Sequence, residues 1–107
     1  MNEHGHERLE VYKLAVEVAD WAVLVHVPTY RRHLREQLAR AVDSIVLNIA
    51  EGAGHPPGAA KRNFYRIALW STGEVAAIVQ LSKPVGGGER QQQLRRIGAM
   101  LAKLSRG

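Results

Sequence analysis

The chain has 107 residues, 46% of them hydrophobic, and a formal net charge of +5 at pH 7. This length fits a single domain with one core, and the lack of cysteine excludes disulfides and thiolate metal ligands or nucleophiles. A cytoplasmic location without a membrane partner is expected, because the first seven residues do not resemble a secretory signal and no apolar run reaches the ~20 residues of a membrane span.

The first predicted helix spans about residues 8–25, after a terminus, residues 1–7, that is expected to be mobile. Its apolar residues form two stripes, separated by only a narrow polar stripe. A helix on the outside of a monomeric bundle needs an apolar arc of only about 100°, so this helix is expected to pack against another subunit as well. The stripes are Leu9, Tyr12, Val16, Ala19 and Val23, and Val11, Ala15, Val18, Ala22 and Val25.

The second predicted helix spans about residues 30–53 and follows a break at Val27-Pro28-Thr29, where Thr29 can cap it. Gly52 and Gly54 are expected to take the left-handed conformation that ends this helix. Its core face contains Leu34, Leu38, Ala41, Ile45 and Ile49.

A polar row runs along the second helix to its end. Its members recur every three or four residues, so they stack on one helical face. Burying such a row is costly unless its members are hydrogen-bonded, so it is either a structural seam between helices or a functional site. This predicted structural motif contains Gln37, Arg40, Ser44, Asn48, Glu51, Gly52 and Gly54.

Two more helices are predicted, over about residues 59–82 and 89–104, joined by a flexible link that contains Gly86-Gly87-Gly88. Four amphipathic helices with short connections predict an all-α, up-down-up-down antiparallel four-helix bundle over residues 1–107. Gly73 and Gly98 either let the last two helices approach closely or are tolerated defects. The expected core residues are Phe64, Ile67, Ala68, Ser71, Val75, Ile78 and Leu81, then Leu94, Ile97, Leu101 and Leu104.

The charges are distributed unevenly. Residues 1–60 have a net charge of −2, whereas residues 61–107 contain nine Lys/Arg and two Asp/Glu, a net charge of +7. This asymmetry indicates one basic surface with nucleic acid or an acidic protein as its partner; the alternative is a solvated face that keeps the protein soluble. The candidate nucleic-acid-binding residues are Arg31, Arg32, Arg35, Lys61, Arg62, Arg66, Arg90, Arg95, Arg96 and Lys103.

The sequence gives little support for catalytic chemistry. Ser44 and Ser71 have no histidine placed to activate them, and the histidines lack the spacing of a helical metal site. Asn48 and Glu51 are capable of acid–base chemistry, but a structural role is favoured for both. We therefore expect no catalytic residue, no metal and no cofactor.

The most distinctive segment is Gln37-Leu38-x-Arg40-Ala41 followed by Ser44-Ile45-x-x-Asn48-Ile49-Ala50-Glu51-Gly52-x-Gly54. With Leu9-Glu10-Val11-Tyr12-Lys13-Leu14-Ala15, Val27-Pro28 and Phe64-x-Arg66-x-x-x-x-Ser71-x-x-Glu74, it makes nearly the whole chain resemble one family. These are small bacterial four-helix-bundle proteins encoded by intervening sequences in 23S ribosomal RNA genes. The chain departs from the family pattern at Tyr12, Ala39, His55, Trp70 and Ala76.

The resemblance implies a homo-oligomer, typically a pentameric ring, and no enzymatic activity. A related branch comprises accessory proteins of diversity-generating retroelements, which bind nucleic acid and a reverse transcriptase. The leading hypothesis is an oligomeric bundle that binds RNA or DNA through arginine-rich surfaces, largely by phosphate contacts. The alternative is a protein-interaction scaffold, such as an accessory subunit for a reverse transcriptase or a ribonucleoprotein.

Overall fold

The computed structural model describes residues 5–25, 27 and 31–107. These residues form four α-helices and no strand, which confirms the predicted all-α class: α1 (Gly5–Leu24), α2 (Arg32–Gly54), α3 (Ala59–Ser82) and α4 (Gly87–Arg106). Residues 5–7, placed in the terminus by the sequence, belong to α1. The predicted mobility of residues 1–4, the break at Pro28, the cap at Thr29 and the start of the second helix at Tyr30 all lie outside the described residues.

The four helices form an elongated bundle of 47 × 21 × 18 Å, in which each helix packs against the next and α1 packs against α4. Consecutive helices are antiparallel. Lys61 near the start of α3 bonds to Gly52 near the end of α2, and Ser71 in the middle of α3 contacts Ser44 in the middle of α2. Gln91 near the start of α4 donates a hydrogen bond of 2.9 Å to the carbonyl oxygen of Ala76 in the second half of α3. This packing agrees with the predicted four-helix bundle.

The predicted core faces of α2 and α4 are buried, but the inward face of α3 is rotated from its predicted position. Leu81, expected inside, has 58% of its surface exposed, and Phe64 and Ile67 are only half-buried. Tyr65 is 1% exposed and belongs to the core. Tyr65, Thr72 and Val79 are buried in addition; they are spaced by seven residues and therefore lie on one side of α3, which turns the buried face toward them and away from Leu81.

The two apolar stripes of α1 lie in different environments. Most of the second stripe is buried, together with Leu14, whereas the first stripe is largely outside the core. Leu9 is 69% exposed and Val23 is 72% exposed, and Leu24 beyond them is 86% exposed. One copy of the chain therefore leaves an apolar face of α1 without a partner among the described residues.

The end of α2 differs from the prediction in its physical cause. The glycines with positive φ in the described chain are Gly58 (φ 150°) and Gly86 (φ 82°), so neither Gly52 nor Gly54 is left-handed. At Gly52, a Cβ would lie 2.8 Å from Cε1 of Tyr65. Gly52 is therefore required because the Tyr65 ring of α3 packs directly against the α2 backbone.

Gly73 and Gly98 do not bring α3 and α4 into close contact. A Cβ on Gly73 would meet no atom within 4 Å, and one on Gly98 would approach Cδ1 of Leu69 at 4.0 Å, an ordinary contact distance. Both glycines instead line a groove of about 210 Å³ on the surface between the two helices.

Candidate nucleic-acid interface

The centre of the predicted polar row joins α2 to α3. The Oγ atoms of Ser44 and Ser71 share a hydrogen bond of 2.7 Å. Nδ2 of Asn48 donates hydrogen bonds to the carbonyl oxygen of Ser44 at 2.8 Å and to its Oγ at 3.1 Å. These three residues therefore form a hydrogen-bonded seam, which satisfies polar groups that are costly to bury unpaired.

The other members of the row are not part of this seam. Gln37, Arg40 and Glu51 are exposed on the surface of α2. The Glu51 carboxylate lies 3.6 Å from Nε2 of His55, whose ring packs against Phe64 with 4.8 Å between the ring centroids. Glu51 and Asn48, the pair considered for acid–base chemistry, thus have separate partners.

Lys61 caps the C-terminus of α2. Its Nζ donates hydrogen bonds to the carbonyl oxygens of Gly52 and His55, both at 2.7 Å, and approaches that of Ala53 at 3.4 Å. Burial and the positive charge of Arg8 lower the pKa of Lys61 below its usual value. This ammonium group satisfies the last carbonyls of a helix, so a phosphate would have to compete with these bonds for Lys61, and its predicted role in binding stays a prediction.

Replacing Lys61 by Met is expected to lower the free energy of unfolding by about 1–2 kcal/mol, because the last carbonyls of α2 lose their charged donor. Urea denaturation followed by circular dichroism measures the change. The matched control is Lys83→Met, because Lys83 is exposed and no described residue pairs with its ammonium group. Equal urea midpoints for the two variants would contradict the capping role.

Three more predicted cations have partners within the chain. Nη2 of Arg96 donates to Oε1 of Glu10 at 2.6 Å, and Nζ of Lys103 donates to Oε1 of Glu7 at 2.7 Å. The Arg90 guanidinium carbon lies 5.7 Å from the centroid of the Trp21 ring. These contacts join α4 to α1, so any phosphate has to compete with them.

Other predicted arginines keep their positive charge uncompensated. Within residues 5–25, 27 and 31–107, no carboxylate pairs with any member of this group, which includes exposed side chains on α2, α3 and α4. They are Arg32, Arg35, Arg62, Arg66 and Arg95. Arg31 is half-buried at the start of α2 and has an interaction within the chain.

A basic row lies along the α3–α4 groove. Gly73 lines the groove, and Arg62 and Arg66 precede it by eleven and seven residues, which returns both to nearly the same side of α3. Arg95 also lines the groove, and Arg106 follows it at the same eleven-residue spacing on α4. We call Arg62, Arg66, Arg95 and Arg106 the α3–α4 basic face.

The arginines at the start of α2 lie at the other end of the bundle. Arg32 and Gly54 are the two ends of α2, which at 1.5 Å per residue places them about 33 Å apart, and α3 begins near Gly54. One copy of the chain therefore has two separate basic regions, not the one surface that the charge asymmetry indicated.

Two further features of the described residues concern metal sites and membrane spans. No group of three or more His, Asp or Glu side chains that could hold a metal occurs in the part of the chain that the structure describes. Among the same residues, no helix has the length and hydrophobicity needed to cross a membrane.

A comparison with models of protein families gives a match. A family model described as 23S rRNA-intervening sequence protein matches residues 7–106, which is nearly the whole chain. No curated protein matches the chain.

Proposed function

We propose that this chain, which belongs to the 23S rRNA-intervening sequence protein family, is a non-enzymatic helical-bundle protein that binds RNA or DNA. The observation that supports this function is the α3–α4 basic face, whose four arginines have no carboxylate partner among the described residues. Arg95 lines the groove of about 210 Å³ between the two helices, and helical spacing places the other three on the same sides of α3 and α4. Guanidinium groups form charge-assisted hydrogen bonds with phosphate oxygens. Binding of this kind is salt-sensitive and depends little on base sequence.

The first experiment asks whether nucleic acid binds at all. Fluorescence anisotropy with labelled RNA, single-stranded DNA and duplex DNA of mixed sequence is recorded in about 50 mM salt. Dissociation constants of about 1–100 μM or tighter are expected for at least one of these, because phosphate contacts alone support binding in this range. Absence of binding to all three would overturn the proposal.

The proposal includes self-association through the outward stripe of α1. Leu9 and Val23 are both more than two-thirds exposed and lie fourteen residues apart, on nearly the same side of the helix. Exposed apolar faces of this kind mark interaction surfaces. A ring of copies, the pentamer that the family resemblance implies, would repeat the basic faces around its axis, so weak single contacts would combine.

The double substitution Leu9→Glu/Val23→Glu is expected to produce a monomer of about the chain mass, 11.9 kDa, with unchanged helical content. Both side chains lie outside the core, so added carboxylates prevent apolar association without disturbing the fold. Light scattering after size-exclusion chromatography measures the mass. The control Leu47→Glu/Leu81→Glu removes two exposed apolar residues from α2 and α3 and is expected to remain assembled. A monomeric wild-type protein, or dissociation of the control alone, would contradict this assignment.

The second candidate function is a protein-interaction scaffold, such as an accessory subunit of a reverse transcriptase or ribonucleoprotein. Trp70 supports it, because this large ring is 63% exposed on α3. Tryptophan is enriched at protein interfaces. A protein partner that remains bound after nuclease treatment, and that Trp70→Ala releases, would favour the scaffold over direct nucleic-acid binding.

A further inference from the structure

A cavity of about 220 Å³ lies at the end of the bundle where α1 and α3 begin and α4 ends. We call it the end cavity. Its walls combine apolar residues with three cations and contain no Asp or Glu side chain. The last residue, Gly107, also lines the cavity, and its carboxylate forms no ion pair with the three cations. The lining residues are Arg8, Pro57, Gly58, Lys61, Arg62, Tyr65, Leu104 and Gly107.

The two arginines of the end cavity are only partly solvated. Arg8 and Arg62 are both half-buried, and no carboxylate in the described residues pairs with either guanidinium group. Lys61 adds a third positive charge beside them, although its donors point to the carbonyl oxygens of α2. Partial burial of cations that pair with no carboxylate is unfavourable, so an anion bound between them would be stabilising.

Tyr65 supplies an independent observation that points to a ligand. The residue is 1% exposed, and its hydroxyl oxygen is buried without a hydrogen-bond partner among the described residues. Native proteins rarely leave such a group unpaired, because each costs about 1–3 kcal/mol. Tyr65 is one of the residues that line the end cavity, so a ligand bound there is the candidate partner for this hydroxyl.

The backbone at the same end also favours negative charge. Gly58 precedes α3 without providing a side-chain cap, so the first amide groups of this 24-residue helix receive no capping side chain. Uncapped amides at a helix N-terminus carry partial positive charge and bind oxyanions. Gly58 and Lys61 bring this helix start to the wall of the cavity.

We propose that the end cavity binds one phosphate-type oxyanion, held by the guanidinium groups of Arg8 and Arg62 and by a hydrogen bond from the Tyr65 hydroxyl. The volume of about 220 Å³ leaves room for one phosphate group and a few waters. One water takes about 30 Å³. The ligand is either inorganic phosphate or the terminal phosphate of a nucleic acid. This proposal goes beyond the α3–α4 basic face, with which it shares only Arg62.

The test compares thermal unfolding in sodium phosphate with unfolding in sodium chloride of equal ionic strength. Saturating phosphate is expected to raise the Tm of the wild type by about 4 °C more than that of Tyr65→Phe. Tyr65→Phe keeps the ring and removes only an unpartnered hydroxyl, so it is expected to be at least as stable as wild type in chloride. Arg8→Gln is expected to lose this extra rise in Tm as well, and the control Arg95→Gln is expected to keep it.

Phosphate also stabilises proteins by exclusion from their surface, but that effect is common to all variants. The proposal is overturned if phosphate raises the Tm of wild type and of Tyr65→Phe equally, or if it does not raise the Tm of wild type.

Oligonucleotides with a 5′-phosphate or a 5′-hydroxyl distinguish the two sources of the ligand. If wild type binds the phosphorylated form more tightly and Tyr65→Phe loses this preference, the ligand is a nucleic-acid terminus. If both forms bind equally and phosphate still raises the Tm of wild type more than that of Tyr65→Phe, the ligand is inorganic phosphate. The rise in Tm in sodium phosphate is measured without nucleic acid, so its outcome is independent of whether the proposed function is correct.

Discussion

Replacing Gly52 by Ala is expected to lower the free energy of unfolding by about 2 kcal/mol. The added Cβ would lie 2.8 Å from Cε1 and 3.0 Å from Cδ1 of Tyr65, a ring that is 1% exposed and has little room to move. Overpacking of a buried site costs about 1–3 kcal/mol, which exceeds the gain of up to about 1 kcal/mol from the better helix propensity of alanine. Urea denaturation measures the loss.

Gly54→Ala is the matched control for this prediction. It makes the same chemical change two residues later in α2, where a Cβ would meet nothing within 4 Å. We expect Gly54→Ala to be neutral or to stabilise the protein by a few tenths of a kcal/mol, roughly the gain in helix propensity near a helix end. Equal stability changes for both variants would show that the contact between Gly52 and Tyr65 does not determine how α3 packs on α2.

The double substitution Arg66→Gln/Arg95→Gln is expected to weaken nucleic-acid binding about 30-fold near 0.1 M salt. Each phosphate contact on duplex DNA contributes about 0.9 to the slope of log affinity against log salt, and two contacts therefore account for well over a tenfold change at this salt concentration. Both side chains are exposed and unpaired in the described residues, so the fold should be unaffected. Fluorescence anisotropy measures the affinity, and circular dichroism checks the helical content.

Arg96→Gln/Lys103→Gln is the control with the same change in net charge. These two cations already pair with Glu10 and Glu7 at 2.6 and 2.7 Å, so their removal is expected to weaken binding less than about threefold. If the two double variants lost equal affinity, binding would depend on net charge alone and the α3–α4 basic face would have no special role.

Hydrophobic periodicity was sufficient to predict the four helices and their order in the bundle. The apolar spacing of α2 and α4 identified the correct buried faces, because each of these helices has a clear polar side. The resemblance to the 23S rRNA intervening-sequence family is confirmed by the match over residues 7–106. Periodicity failed for α3, where apolar residues lie on several sides and Tyr65 replaces Leu81 in the core.

The candidate site was harder to predict, because its charges depend on which helices are neighbours. Lys61 looks like a phosphate-binding residue in sequence, and only the fold places its ammonium group against the last carbonyls of α2. The pairing of Arg96 with Glu10 joins residues 86 positions apart. The role of Gly52 likewise depends on a ring from another helix. Arg106 was not among the predicted nucleic-acid-binding residues. Its spacing of eleven residues from Arg95, which places both on one side of α4, is the sequence signal that would have added it.

The dependence of nucleic-acid affinity on salt tests the central claim most directly. Duplex DNA binding is measured from about 50 to 300 mM salt for the wild type and for Arg66→Gln/Arg95→Gln. The four arginines of the α3–α4 basic face predict a wild-type slope of log affinity against log salt near −3 or steeper, and a slope shallower by about 2 in the double variant. A wild-type slope near zero, or the same slope in both proteins, would contradict binding through this face.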